Sequence, residues 1–280
     1  MTKAVWNKVT VVGCGLIGAS FALAMRQAGA CARLAGWDAS PSVLDEALGR
    51  GVIDEADHTI AGGESVSTSD LIYLATPVGE IIEFLRERGR QLKPGAVVTD
   101  AGSTKQEVCL AAGEHLPHDR VFVGGHPVAG SHQRGLAHAR ADLFAGAPYV
   151  LTTDGDGSNW HARARLAETL GLLGARVTLA TAAEHDRAMA FVSHLPQLVA
   201  GALAAAVRDQ PDAGALASVS GAGYRDMTRL AASSWSVWRD VLATNSAPVA
   251  AALDAFVGKL AAVRDELRDH TGRGGDGLAA

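Results

Sequence analysis

The chain has 280 residues, 48% of them hydrophobic and 20% charged, with a formal net charge of −5. That is enough apolar material for a large core and enough length for two domains of ordinary size, with no basic excess for nucleic acid and no continuous apolar run approaching the ~20 residues that span a membrane. The three cysteines, Cys14, Cys31 and Cys109, make no C-x-x-C pair and residues 1–8 lack an apolar signal core, so the chain reads as cytoplasmic, with neither a metal site nor a disulfide framework.

Val9-Thr10-Val11-Val12, a β-branched run, feeds Gly13-Cys14-Gly15-Leu16-Ile17-Gly18, and that loop opens an apolar helical run over 19–29. A G-x-G-x-x-G between a strand and a helix is the setting of dinucleotide binding. Gly13 allows the tight turn, Gly15 lets the backbone approach a pyrophosphate, and Gly18 lets the helix lie close to the strand. The N–H groups that open the helix, at Leu16 and Ile17, then face the phosphates. A second short apolar run ends at Asp38, twenty residues after Gly18. An acid there accepts hydrogen bonds from a ribose and repels a 2′-phosphate, which selects NAD over NADP; capping the following helix is the other reading of Asp38.

Ser40-Pro41-Ser42 starts a helix over 43–50, since proline suits a first helical position. Residues 65–67 read as a short polar-alternating piece and 70–75 as a buried strand that ends at Thr76-Pro77. A helix over 79–92 is stopped by Lys93-Pro94-Gly95. A strand over 96–100 is followed by Ala101-Gly102-Ser103, a helix covers 107–115, and a strand over 121–125 runs into His126-Pro127. Two further strands, 148–152 and 176–179, flank a helix over 159–173.

Strands alternating with helices imply an α/β fold of Rossmann type, a mainly parallel sheet with helices on both faces. Ligands of such sheets gather beyond the carboxyl ends of the strands. The glycine loop, Asp38, Thr76-Pro77, Ser103 and His126 all follow successive strands. From 182 to 267 the chain is alanine-rich and helical, and its small residues suit close helix packing or a dimer interface. The expected organisation is a dinucleotide-binding domain over 1–180, an all-α domain for substrate and dimerisation over 181–268, and a glycine-rich disordered tail over 269–280.

Oxidation of a substrate by a nicotinamide needs an acceptor for the hydroxyl proton and usually a cation for a carboxylate. His126, fixed by Pro127 directly after a strand, suits the first role; a loop histidine bonded to backbone is the alternative. Ser103 could orient His126 or bond the hydroxyl, or it could cap the next helix with Gln106 completing a capping box. Ser193-His194-Leu195-Pro196-Gln197 puts a polar patch and a helix-kinking proline into an apolar helix. That suggests a cleft, with a histidine satisfied inside a helical bundle as the other reading. Arg225 and Arg229 lie four apart, and an arginine fork suits a carboxylate; surface pairing of Arg225, Arg229 or Arg239 with Asp226 or Asp240 is the other reading.

Taken together, these stretches resemble the prephenate/arogenate dehydrogenase family of tyrosine biosynthesis. The resemblance is carried by Val11 to Ser20, Leu74-Ala75-Thr76-Pro77-Val78, Thr99-Asp100-Ala101-Gly102-Ser103-Thr104-Lys105 and Gly124-Gly125-His126-Pro127-Val128-Ala129-Gly130. It continues in Ser193-His194-Leu195-Pro196, Arg225 to Ala231 and Trp238-Arg239-Asp240. It implies a Rossmann domain, a helical dimerisation domain, a homodimer, and NAD-dependent oxidative decarboxylation of prephenate to 4-hydroxyphenylpyruvate, with arogenate or a 4-amino-4-deoxy analogue as the alternative substrate. In this resemblance His126 takes the hydrogen bond of the ring hydroxyl as hydride leaves, and Ser103 supports the same hydroxyl. Arg229 holds a substrate carboxylate, His194 lines the same cleft with Ser193 and Gln197, and Trp238 approaches the partner's site. Two positions depart from the family pattern. Many prephenate-using relatives have a histidine where this chain has Gln197, and an acid is common where it has His132. Loss of the acid leans towards prephenate, and Gln197 leans the other way.

Overall fold

The computed structural model describes residues 4–59, 63–129, 133–153, 159–233 and 235–269. The chain divides into two units, Met1–His185 and Asp186–Ala280.

In the first unit, β1 (Trp6–Val12) is buried on both faces from Val9 onward, as a central parallel strand requires. The chain turns at Gly13 with φ +92° and enters α1 (Leu16–Gln27), which buries Gly18, Ala19, Ser20, Phe21 and Ala22 against the sheet. Gly29, at φ +62°, turns the chain out of that helix. There follow β2 (Cys31–Trp37), α2 (Pro41–Gly49), the two-residue β3 (Glu55–Ala56), α3 (Gly63–Thr68), β4 (Leu71–Leu74), α4 (Val78–Arg88), β5 (Val97–Asp100), α5 (Gln106–His115) and β6 (Val121–Val123). The stretch read as a polar-alternating piece at 65–67 is therefore part of a short helix.

These strands form a six-stranded sheet in the order β3-β2-β1-β4-β5-β6, and all neighbours are parallel. The register sets Trp37, Val12, Leu74 and Asp100 level across the four central strands. Gly13, Asp38, Ala75 and Ala101, the residues after those four, consequently leave the sheet at one edge.

The strand expected over 121–125 is two strands. The chain leaves the parallel sheet at Gly124, and β7 (Gly125–Pro127) pairs antiparallel with β8 (Pro148–Thr152). The switch is fixed by Thr152, whose Oγ1 accepts from Gly124 N (3.0 Å) and whose N–H donates to Gly124 O (2.8 Å). After α6 (Trp160–Leu172), β9 (Arg176–Ala180) adds parallel to β8, completing a three-stranded sheet. Tyr149 of β8 donates to the hydroxyl of Tyr73 on β4 at 3.2 Å, with both rings buried. Phe21 of α1 stacks on Tyr73 with centroids 3.8 Å apart. Such aromatic pairs contribute about 0.5–1.5 kcal/mol beyond their buried area, and here they lock α1 and both sheets together. Trp6 is fully buried, donates to Thr169 Oγ1 of α6 (2.9 Å) and lies under the Arg165 guanidinium (3.6 Å).

From α7 (Ala182–Met189) onward the regular elements among the described residues are all helices: α8 (Leu195–Arg208), α9 (Ala213–Ser218), α10 (Ala222–Thr228), α11 (Trp235–Thr244) and α12 (Ser246–Asp269). Between α7 and α8 the backbone makes a π-turn over Ala190–His194. This is how the helix absorbs Pro196, which cannot donate to the carbonyl four residues earlier. The second unit keeps a small core around Ala190, Val249 and Ala252. Residues 270–280, read as a disordered tail, lie outside the described residues. By length and mean composition alone, the helical stretches Ala182–Arg208 and Ser246–Asp269 are long and apolar enough to cross a membrane. Alanines scattered among polar residues raise the mean hydropathy without forming a continuous apolar run.

Candidate active site

The glycine loop has the shape a dinucleotide pyrophosphate needs. A Cβ on Gly13 would meet Ala75 O at 2.8 Å, and one on Gly18 would meet Gly13 O at 1.9 Å. Around Gly15 a Cβ would meet nothing within 4 Å, so space is left open above the N-terminus of α1. No side chain caps that helix, so its first N–H groups remain for an anion. Thr76 Oγ1, at the exit of β4, is buried and has no partner among the described residues. The open space at Gly15, the uncapped start of α1 and the buried Thr76 hydroxyl are therefore compatible with a dinucleotide such as NAD.

Asp38 comes to the same loop. Its Oδ2 accepts from Cys14 N (2.8 Å) and its Oδ1 from Ser40 N (2.9 Å). It does not cap α2, whose N-cap is Ser40. Burial, and then the Asp38 charge, push the Cys14 thiol up to about 12, so the one thiol in the loop stays protonated at neutral pH.

Ser103 and His126 stand beyond β5 and on β7. Ser103 is half-buried and in a bend; α5 begins only at Gln106 with Lys105 as its N-cap, so the capping-box reading fails. His126 pairs with Val150 in the β7–β8 ladder. Its Nδ1 lies 2.8 Å from Nε2 of His185, a buried residue in α7. The two rings cross edge-on, with centroids 5.0 Å apart.

In the second unit, Ser193 and His194 lie in the π-turn and Gln197 one turn later, in α8. His194 is 1% exposed. Asn245 Nδ2 lies 3.1 Å from its Nδ1 and donates to Asp186 O at 2.8 Å, so the histidine is held within the helical bundle. Trp238 meets its ring edge-on at 5.8 Å within the same chain. Gln197 Nε2 donates to Leu230 O (2.8 Å), while its Oε1 is buried without a partner among the described residues. Arg229 does not share a regular helix with Arg225: α10 stops at Thr228, and Arg229 opens a 3-10 turn over Arg229–Ala232. Its side chain is exposed and, among the described residues, has no ion pair. Arg225 donates to Ser220 O, and Arg239 pairs with Asp240 at 2.8 Å. His132 lies outside the described residues.

The family model for the nucleotide-binding domain of prephenate dehydrogenase matches residues 21–179, and the model for its dimerization domain matches residues 181–274. A prephenate dehydrogenase of Bacillus subtilis is 35% identical over 261 residues, which cover 92% of this chain and 69% of that protein. A solved prephenate dehydrogenase from A. aeolicus, in complex with hydroxyphenyl propionate and NAD+, is 30% identical with a TM-score of 0.87, over 94% of this chain and 91% of that one. The Synechocystis arogenate dehydrogenase is also 30% identical, with a TM-score of 0.81, over 94% of this chain and 92% of that one.

The chain belongs to the prephenate dehydrogenase family. It is accordingly an oxidoreductase whose Rossmann unit binds NAD, followed by a helical dimerization domain. For a member of this family, the residues that sequence reasoning missed are those holding the others in place. His185 sits in Ala182-Ala183-Glu184-His185-Asp186, the first polar cluster after β9. That position, next in sequence to the strand pairing with His126's neighbours, was a usable signal. Asp100 and Lys105 lie in Thr99-Asp100-Ala101-Gly102-Ser103-Thr104-Lys105, but their burial at 0% has no counterpart in the sequence pattern. Asn245, joined to His194 across 51 residues of chain, gave no signal at all.

Proposed function

We infer that this protein oxidises prephenate with NAD, with loss of carbon dioxide, to 4-hydroxyphenylpyruvate. The observation that carries the reading is the His126–His185 pair. The 2.8 Å contact between His126 Nδ1 and His185 Nε2 supports an imidazole held in one orientation, and that ring is assigned to the substrate hydroxyl. Bound NAD supplies the hydride acceptor. As hydride leaves the carbinol carbon, His126 takes the hydroxyl proton and Ser103 hydrogen-bonds the same oxygen. When the ring carboxylate departs as carbon dioxide, its bonding electrons complete the aromatic ring and the proton returns to the phenolic oxygen. Aromatisation supplies most of the driving force, so the protein need only orient, exclude water and hold that proton. Arg229 holds a substrate carboxylate, and Ser193, His194, Gln197 and Trp238 line its surroundings.

A second reading, arogenate or a 4-amino-4-deoxy analogue as substrate, is favoured by one feature. Gln197 Oε1 is a buried acceptor lacking a donor among the described residues, and an ammonium would supply one. His132, where an acid is common, favours prephenate. Steady-state kcat/KM on both substrates decides between them; equal or greater efficiency on arogenate would reverse the order.

The assembly proposed is a cytoplasmic homodimer through the helical domain, with neither membrane nor nucleic acid as partner. The support is the dimerization-domain match together with the apolar side chains that α12 leaves exposed at Val257, Leu260 and Leu267.

A further inference from the structure

β5 ends in a buried ion pair. Asp100 and Lys105 are both fully buried, and Lys105 Nζ donates to Asp100 Oδ2. The same carboxylate accepts two backbone N–H groups, Gly102 N on Oδ2 at 2.8 Å and Gly125 N on Oδ1 at 2.9 Å. Those amides belong to the residues immediately before Ser103 and His126. The approach is too close for any side chain. A Cβ on Gly102 would lie 2.8 Å from Asp100 Oδ2, and one on Gly125 would lie 2.5 Å from Asp100 O.

A buried ion pair is a weak source of stability, because desolvation offsets the attraction. Charge-assisted hydrogen bonds from two separate loops to one carboxylate are, however, a strong source of geometry. We propose that Asp100 is a positioning residue whose two oxygens fix the backbones of the Ser103 and His126 loops relative to each other. Lys105 holds the carboxylate in the orientation that serves both. The inference rests on the roles given to Ser103 and His126 above. It goes further by making their alignment depend on a side chain that touches neither substrate nor NAD.

An amide can accept on one side only, so Asp100→Asn releases one of the two loops. The test is a double-mutant cycle on kcat in the full chain, with Asp100→Asn made alone and in a His126→Asn background. The expected result is a fall in kcat of roughly 10–10²-fold in the first case and under about threefold in the second, with NAD affinity within about threefold throughout. Unchanged kcat, or the same fold-loss in both backgrounds, overturns the proposal, since a merely structural residue would act independently of His126. Should loss of the Asp100 charge prevent folding, Asp100→Asn/Lys105→Met replaces Asp100→Asn in the cycle. In the native protein, slow amide exchange at both Gly102 and Gly125 is required, and fast exchange at either contradicts the clamp. If His126→Asn alone leaves kcat unchanged, the assignment of His126 fails rather than the clamp, and the exchange measurement judges the clamp on its own.

Discussion

Arg229 and Asp38 show how much a single side chain can be asked to do. Arg229 carries an exposed guanidinium with no ion pair among the described residues. The role proposed for it is to bind a substrate carboxylate, a group present in ground and transition states alike. Arg229→Ala is therefore expected to raise KM for prephenate by about tenfold or more while kcat changes little; a fall in kcat alone would remove Arg229 from carboxylate binding. Asp38 holds Cys14 N and Ser40 N, which places its carboxylate at the glycine loop. Asp38→Ser is expected to narrow the preference for NAD over NADP by about tenfold or more, the loss of one charge repulsion and one hydrogen-bonded pair. An unchanged ratio of kcat/KM for the two cofactors would reduce Asp38 to a loop staple. Both residues stand out in the sequence as candidates, Asp38 by its distance from the glycine loop and Arg229 by its place four residues after Arg225. His185 and Asn245 do not, because their partners lie 59 and 51 residues away and only the fold brings them together.

At the scale of elements, periodicity located five of the six strands of the parallel sheet and missed the two-residue β3 (Glu55–Ala56), which is too short to show a pattern, while the turn residues located most helix ends. It missed the change of sheet at Gly124, because β6 and β7 are continuous in sequence and only the hydrogen bonds of Thr152 separate them. It also missed the π-turn over Ala190–His194, since proline announces a disturbed helix but not the form of the disturbance. The turn into α1 is where local geometry is least forgiving. A Cβ at Gly18 would sit 1.9 Å from a backbone oxygen that cannot move aside cheaply. Gly18→Ala is expected to destabilise the first unit by about 1–3 kcal/mol, the usual cost of overpacking, and to weaken NAD binding. Denaturant unfolding and NAD titration check this, and wild-type values for both would mean that α1 is not packed as described.

For the molecule as a whole, several carboxylates join distant parts of the chain and make the fold sensitive to acid. Asp70 accepts from Asn7 N and Lys8 N at 3.1 Å and from Lys93 Nζ at 2.5 Å. Burial raises its pKa, but the Lys93 ammonium and the two amides outweigh that and hold it below the ordinary carboxyl value. Asp54 and Asp57 are lowered in the same direction: burial opposes the shift, and hydrogen bonds from Leu34 N and Arg26, and from Ser65 and Thr59, outweigh it. A lowered folded-state pKa contributes stability that is present above the unfolded value and is lost as pH falls through the folded one. Thermal unfolding is therefore expected to show a steep loss of Tm below about pH 4, with Asp70→Asn flattening that slope; an identical slope in the variant would mean that Asp70 is not among the groups responsible. The central claim is that His126 takes the hydroxyl proton as prephenate is oxidised. It is tested most directly by NADH formation from prephenate and NAD with the wild-type protein and with His126→Asn. The account predicts turnover by the wild type and a kcat lower by roughly 10²–10⁴-fold in the variant, with NAD affinity retained. Wild-type turnover by His126→Asn would contradict it.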